Sequence, residues 1–200
     1  MIYRDLPYFS NRTWPENART RWGDKFLGFY FLDEIGGRQL DRAENWTTVT
    51  QADNYTHASS RFVENVSMYM DWYLSFHSSR DFRLFTSDYA LYWFDYKSGY
   101  DALLAQFGWN YSRQLNIALC RGAATVQNKD WGVMITWTYT EPPYIESGEE
   151  LYKDLILAYK NNAEYIAVFD SNENYTQGIL KEEHLDALKQ FWQYVQDNPR

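Results

Sequence analysis

Five short apolar runs alternate with longer segments whose apolar residues recur every three or four positions, and this alternation constrains the chain more than any other feature. Runs of four to eight apolar residues bounded by turn signals read as buried strands, and stripes at i, i+4 and i+8 read as helices packed on one face. Strands are expected at Phe26–Leu32, Arg83–Ser87, Ala102–Phe107, Trp131–Trp137 and Tyr165–Phe169. The long helix after the first strand carries Ala58, Phe62, Val66, Tyr69, Tyr73 and Phe76 on its stripe, with the Gly36-Gly37 pair read as a turn before it. A short aromatic helix spans Ala90–Lys97, and a longer one spans Ser112–Gln127 with Leu115, Leu119, Gly122 and Val126 inward. Ser147-Gly-Glu-Glu150 reads as a capping box opening a helix that buries Leu151, Leu155 and Ala158. A last helix, Lys181–Gln196, is expected to bury Leu185, Leu188, Trp192 and Val195, and a short one covers Pro15–Trp22. Strands and helices in strict alternation make parallel βα units.

Such units build either an open doubly wound sheet or a barrel. The open sheet usually carries a glycine-rich phosphate turn after its first strand; here that strand runs into Asp33-Glu34-Ile35-Gly36-Gly37, with no G-x-G-x-x-G. Instead the strands end in Glu34, Asp88, Asn110, Glu141 and Asp170. Polar groups at the C-terminal ends of parallel strands are the placement used by barrel enzymes. The fold class is therefore read as α/β, with parallel βα units forming a partial (β/α)8 (TIM) barrel, strands four to eight. Residues 1–200 are read as a single domain, the C-terminal part of a TIM-barrel-like domain. A homo-oligomer or a missing N-terminal half-barrel would complete it.

Composition removes several classes of function. A net charge of −8, from 27 carboxylates against 19 Lys and Arg, argues against nucleic acid as a partner. No run of 18 or more apolar residues exists, so no membrane span is expected. Cys120 stands alone, which excludes an internal disulfide and a cysteine zinc cluster; it reads as a packed thiol. His57, His77 and His184 lack ligand spacing and read as surface residues, so neither a metal nor another cofactor is expected. Ser87-Asp88 carries no nucleophile-elbow glycines. Asn11, Asn45, Asn54, Asn65, Asn110 and Asn174 each open an Asn-x-Ser/Thr sequon, six where about two arise by chance. The excess points to an extracellular or cell-surface glycoprotein, although no signal peptide opens the chain. Aromatic residues make up 20% of the sequence, more than a core needs, which leaves rings for a ligand.

With Glu34 ending one strand and Glu141 ending the strand three units on, the chain resembles the second half of a retaining (β/α)8 glycoside hydrolase. In that superfamily the acid/base is the Glu ending strand four and the nucleophile the Glu ending strand seven. The resemblance thus implies Glu34 as acid/base and Glu141 as nucleophile. The family carries Asn immediately before the acid, contacting the sugar 2-hydroxyl; here Asp33 stands in that place. Retention needs two carboxyl groups about 5–5.5 Å apart, one protonated and one ionised. Strand parity puts Glu34 on one face with Gly28 and Tyr30, and Glu141 with Ile135, Trp137 and Tyr139. Sugar-binding candidates are Asp33, Tyr30, Asp88, Gln106, Trp109, Asn110, Trp137, Tyr139, Tyr144 and Asp170, the rings to stack on a pyranose and the polar groups to meet hydroxyls. Trp72 and Trp192, on helical stripes, are assigned to packing. The expected function is cleavage of glycosidic bonds by two carboxylates, with carbohydrate as partner. The alternative is a non-catalytic carbohydrate-binding or structural barrel fragment. A phosphosugar enzyme is weakest, because the loops at 141–148 and 170–178 carry acids that repel phosphate.

Overall fold

The computed structural model describes residues 2–4, 14–75 and 82–200; Asn11, Phe76 and His77 lie outside them. Among the described residues there are six strands: β1 (Ile2–Arg4), β2 (Gly28–Tyr30), β3 (Arg83–Asp88), β4 (Ala102–Phe107), β5 (Asp130–Ile135) and β6 (Tyr165–Val168). The described residues also form seven α-helices: α1 (Trp14–Trp22), α2 (Ile35–Arg42), α3 (Tyr55–Leu74), α4 (Tyr92–Ser98), α5 (Arg113–Gln127), α6 (Gly148–Lys160) and α7 (Glu182–Asp197). The sheet follows chain order, β1 to β6. The fold is α/β, built of consecutive parallel βα units as in a partial TIM barrel. The chain divides into two compact units, residues 1–103 with 122–130, and residues 104–121 with 131–200.

In the first unit β1 pairs in parallel with β2, and β2 with β3, Phe29 lying opposite Tyr3 and Leu84. The strand foreseen at 26–32 is shorter than its apolar run, because Leu32 and Glu34 both take left-handed backbone, φ 50° and 55°. That kink breaks the two-residue alternation, so strand parity does not carry from Tyr30 to Glu34. Gly36 and Gly37 do not form a turn; they lie in the first turn of α2, which the sequence had not marked as a helix. A Cβ on Gly37 would stand 2.1 Å from the Tyr89 ring, and one on Gly36 2.8 Å from the Ala90 carbonyl oxygen, so this close approach admits only glycine. The stripe of α3 buries Phe62, Val66, Met70 and Tyr73. Asn54 caps that helix, its side chain accepting the His57 amide at 2.9 Å.

In the second unit β5 pairs in parallel with β6, Val133 opposite Ile166. Past the strand ends the ladder continues through the Thr136 amide to the Phe107 carbonyl, 2.8 Å, and the Trp109 amide to the Trp137 carbonyl, 2.9 Å. The Ser147 cap is present, accepting the Glu150 amide, and α6 buries Leu151, Leu155 and Ala158. Two helix faces need correction. In α5 the inward residues are Asn116, Ile117, Cys120, Ala123 and Ala124, whereas Leu115, Leu119 and Val126 are exposed. Apart from Asn116 and Ile117, small residues line the buried stripe, and both leucines of the helix face out. In α7 the buried residues are His184 and Ala187; Leu188 and Val195 are half-buried, and Leu185 and Trp192 are exposed. Trp72 is exposed as well. The packing of α7 on α6 instead uses Phe191 and Tyr194, both edge-on to Tyr159 at 6.0 Å.

Candidate functional site

At the C-terminal end of β2, a polar triad forms beneath the kinked loop. The Tyr30 hydroxyl donates a short hydrogen bond to Asp33 Oδ1, and the Ser87 hydroxyl lies 2.6 Å from Tyr30 and 3.3 Å from the same Asp33 oxygen. Burial first, and then the Asp33 carboxylate, push the Tyr30 phenol well above its usual range, so it remains a proton donor. Asp33 thus has an oxygen fixed by two hydroxyls from β2 and β3.

Above the triad lies a cavity of about 240 Å³, lined by Leu32, Asp33, Ile35, Arg38, Trp46 and Tyr69. The Trp46 and Tyr69 rings form its aromatic wall, with centroids 5.4 Å apart. Arg38 donates to Glu44 Oε1 through Nε at 2.9 Å and Nη2 at 2.6 Å. Glu44 in turn lies in the loop whose Thr47 hydroxyl donates to its carbonyl at 2.6 Å, which orders the segment carrying Trp46.

Glu34 is the half-buried N-cap residue of α2, but its side chain makes no capping bond; its amide donates to the Ser87 carbonyl at 3.1 Å. Asp88 is fully buried. Its carboxylate accepts four main-chain amides: Gly36 at 2.6 Å, Gly37 at 2.8 Å, Tyr89 at 2.7 Å and Ala90 at 3.0 Å. That use binds α2 to the loop after β3 and leaves Asp88 no surface for a sugar. Burial raises its carboxyl to about 7, against the opposing pull of those amides. Asp95 on α4 is also fully buried, and burial together with the Asp88 charge raises it well above the usual range.

In the second unit the ends of β5 and β6 carry a string of rings. Trp137 stacks on Tyr144 at 5.0 Å and meets Phe169 edge-on at 6.0 Å; Phe169 meets Tyr175 edge-on at 6.2 Å. The Trp137 indole donates to the Ser171 carbonyl at 2.9 Å, fixing the ring. Desolvation, and then the carboxylates of Glu173 and Glu141, raise the Tyr144 phenol. Glu141 is exposed, opening a turn in which its carbonyl accepts the Tyr144 amide at 2.9 Å, with a cis bond between Pro142 and Pro143. Tyr139 is half exposed, and its amide donates to the Tyr144 carbonyl. Trp137, Tyr144 and Glu141 therefore gather around one turn.

The remaining candidates are placed as follows. Trp109 is half-buried in left-handed backbone, and Asn110 is exposed beside it. Gln106 is buried, and its main-chain carbonyl accepts the Asn116 side-chain amide at 2.8 Å. The exposed Asp170 accepts the Ile179 and Leu180 amides at 2.6 and 3.0 Å, closing its own loop.

A further cluster of charged residues lies outside the candidates at the strand ends. Arg113 joins Glu146 and Asp154, each at 3.0 Å, and donates to the carbonyls of Gly108, Trp109 and Tyr111. Burial first, and then the Asp154 carboxylate, push Glu146 up to about 8. His184, expected at the surface, is buried: Nδ1 accepts the Lys181 amide at 2.8 Å and Nε2 lies 2.9 Å from the Glu146 carbonyl, so Nε2 carries the proton. The cluster holds the loops after β4 and β5 in place. The lone acid of the aromatic helix, Asp95, and Glu146 beside Ile145 carried the one available signal, an ionisable residue among apolar neighbours. Among the described residues no group of three or more His, Cys, Asp or Glu is arranged to hold a metal ion, and no helix is long and apolar enough to cross a membrane. No protein-family model matches the chain, and no curated protein matches it.

Proposed function

We propose that the protein acts on carbohydrate as a glycoside hydrolase, with Glu34 as acid/base and Glu141 as nucleophile. One observation carries the reading. The stacked Trp137–Tyr144 pair stands at the end of β5, and the charge of Glu141 acts on the Tyr144 phenol. A flat ring beside a carboxylate, at the C-terminal end of a parallel strand, is what cleavage of a sugar bond requires: a surface for the pyranose face and a group for the anomeric carbon. The sequence resemblance supplies the two glutamate roles, and Glu34 is half-buried in the loop that follows β2.

The same reading makes the chain an extracellular or cell-surface glycoprotein. Asn45, Asn54, Asn110 and Asn174 are exposed sequon residues, whereas Asn65 donates its amide to Thr47, Thr48 and Arg61 and is a poor acceptor.

The test is release of phenol from a panel of aryl glycosides by the protein, repeated with Glu34→Ala and Glu141→Ala. Phenol release lost for every glycoside in Glu141→Ala, and lost in Glu34→Ala only where the leaving phenol is basic, supports the assignment. Saturable binding of oligosaccharides without hydrolysis leaves a non-catalytic carbohydrate-binding protein, the reading favoured by the exposed position of Glu141. The absence of both binding and hydrolysis overturns the carbohydrate reading.

A further inference from the structure

We infer that the cavity at the end of β2 is a subsite for a single neutral sugar residue and discriminates against uronates. The inference rests on the carbohydrate reading for its ligand class, but not on the roles given to Glu34 and Glu141.

The size sets the first limit. At about 240 Å³ the cavity is smaller than the roughly 300–1,000 Å³ of sites for drug-sized ligands, so it takes one ring and not a chain. Its surface is mixed in the way a pyranose is mixed. Trp46 and Tyr69 offer tilted ring faces, and Leu32 and Ile35 add aliphatic wall, matching the C–H face of a sugar.

The polar groups set the second limit. Tyr30 and Ser87 both engage Asp33 Oδ1, which among the described residues leaves Oδ2 as the acceptor for a ligand. Glu44 occupies Nε and Nη2 of Arg38, which leaves Nη1 as a donor. One charge-assisted acceptor and one charge-assisted donor in the same small space suit neighbouring hydroxyls, each of which donates and accepts. Neither group is free to reorient, because each is already held by its own protein partners.

Charge sets the third limit. Arg38 has its ion pair in Glu44 at 2.6 Å, so its positive charge is already answered. A ligand carboxylate would meet Asp33 and Glu44, two negative charges against one positive. A neutral ring meets no such opposition.

The experiment uses the full chain and follows the Trp46 indole N–H in proton–nitrogen correlation spectra, assigned with Trp46→Phe. Methyl β-D-glucopyranoside, galactopyranoside, mannopyranoside and xylopyranoside are titrated, together with methyl β-D-glucuronide. At least one neutral glycoside should shift the Trp46 signal saturably, and the glucuronide should bind about tenfold more weakly than that glycoside. Asp33→Asn and Arg38→Gln should each weaken it by about tenfold, with two variants in case one does not fold. A silent Trp46 signal with all four neutral glycosides overturns the inference, as does glucuronide binding equal to the best of them. If the Trp46 signal titrates while no aryl glycoside is cleaved, the hydrolase reading falls and the subsite stands. If glycosides are cleaved while Trp46 stays silent, the subsite alone falls.

Discussion

Asp88 accepts the amide of Gly36 at 2.6 Å, and through that bond the end of β3 holds the start of α2. Three further amides, from Gly37, Tyr89 and Ala90, converge on the same carboxylate. Four main-chain donors around one buried anion form a rigid joint, because none can turn away without leaving the carboxylate short of a partner. The joint sits directly after Leu32–Ile35, the segment that borders the cavity and carries Glu34. Its precision is thus a precondition for whatever chemistry occurs at the end of β2.

Replacing Gly37 tests how tight the joint is. Gly37→Ala would put a methyl group 2.1 to 2.5 Å from three atoms of the Tyr89 ring, whose hydroxyl is tied to Asp41 at 2.6 Å. Urea unfolding should show a loss of roughly 1–3 kcal/mol. Combining it with Tyr89→Ala should recover part of that loss, since the two changes share one contact. Strictly additive losses would show that the ring moves aside at no cost.

The neighbouring carboxyl gives the joint a pH dependence. Asp95 is fully buried, and among the described residues neither of its oxygens has a hydrogen-bond partner. Burial holds Asp95 well above the usual carboxyl range and raises Asp88 to about 7. The folded chain therefore keeps protons that the unfolded chain releases above about pH 4, so stability is full below that point and declines as pH rises through 7. Asp95→Asn retains the shape and removes one ionisation. Its melting curve from about pH 4 to about pH 9 should decline less steeply than that of the wild type. Parallel curves would show that Asp95 does not titrate with folding.

What the sequence revealed and what it hid follow a physical division. Strands β3 to β6 were legible because each is a short apolar run, and α6 because Ser147 and Glu150 announce its first turn. Helix α2 was hidden by its two glycines, which normally signal a turn and here permit contact with Tyr89 and Ala90. The apolar stripes of α5 and α7 do not mark their inward faces, because a helical period fits more than one face; Cys120, Ala123 and Ala187 pack inside while Leu119 and Trp192 face solvent. At the candidate site, Trp137, Tyr144 and Glu141 were legible from their position at a strand exit. Trp46, Tyr69 and Arg38 were not, because they come from a polar loop and two helices that only the folded chain brings around Asp33. Strand parity could not place Glu34, since it cannot anticipate left-handed residues at 32 and 34.

The second unit has its own proton-linked cluster. Glu146, raised to about 8, shares Arg113 with Asp154. A carboxyl raised on folding stabilises least when ionised, so this contribution fades as pH climbs through about 8. Glu146→Gln should flatten that alkaline limb. Arg113→Met should be far more damaging at neutral pH, on the order of 3–5 kcal/mol, because it leaves buried acids and three loop carbonyls without their donor. Chemical unfolding at several pH values reads both. A small loss in Arg113→Met would show the cluster to be solvated.

The proposed glutamates should fail in different ways. Glu141→Ala removes the group that would form the glycosyl-enzyme, so the rate should fall for every leaving group by several orders of magnitude. Glu34→Ala removes the proton donor, which matters only when the departing oxygen is basic. A dinitrophenyl glycoside should therefore lose little in its first step, while a methyl glycoside loses most of its rate. Azide supplies the sharper comparison. In Glu34→Ala it should accelerate turnover by attacking the glycosyl-enzyme without base assistance and give a glycosyl azide of retained configuration. In Glu141→Ala no such intermediate forms, and azide can only attack the sugar directly with inversion. Proton spectra of the anomeric centre distinguish the two products. Retained product from Glu34→Ala and inverted product from Glu141→Ala would fix both roles. Wild-type rates in both variants, on every glycoside the parent cleaves, would make the two glutamates structural.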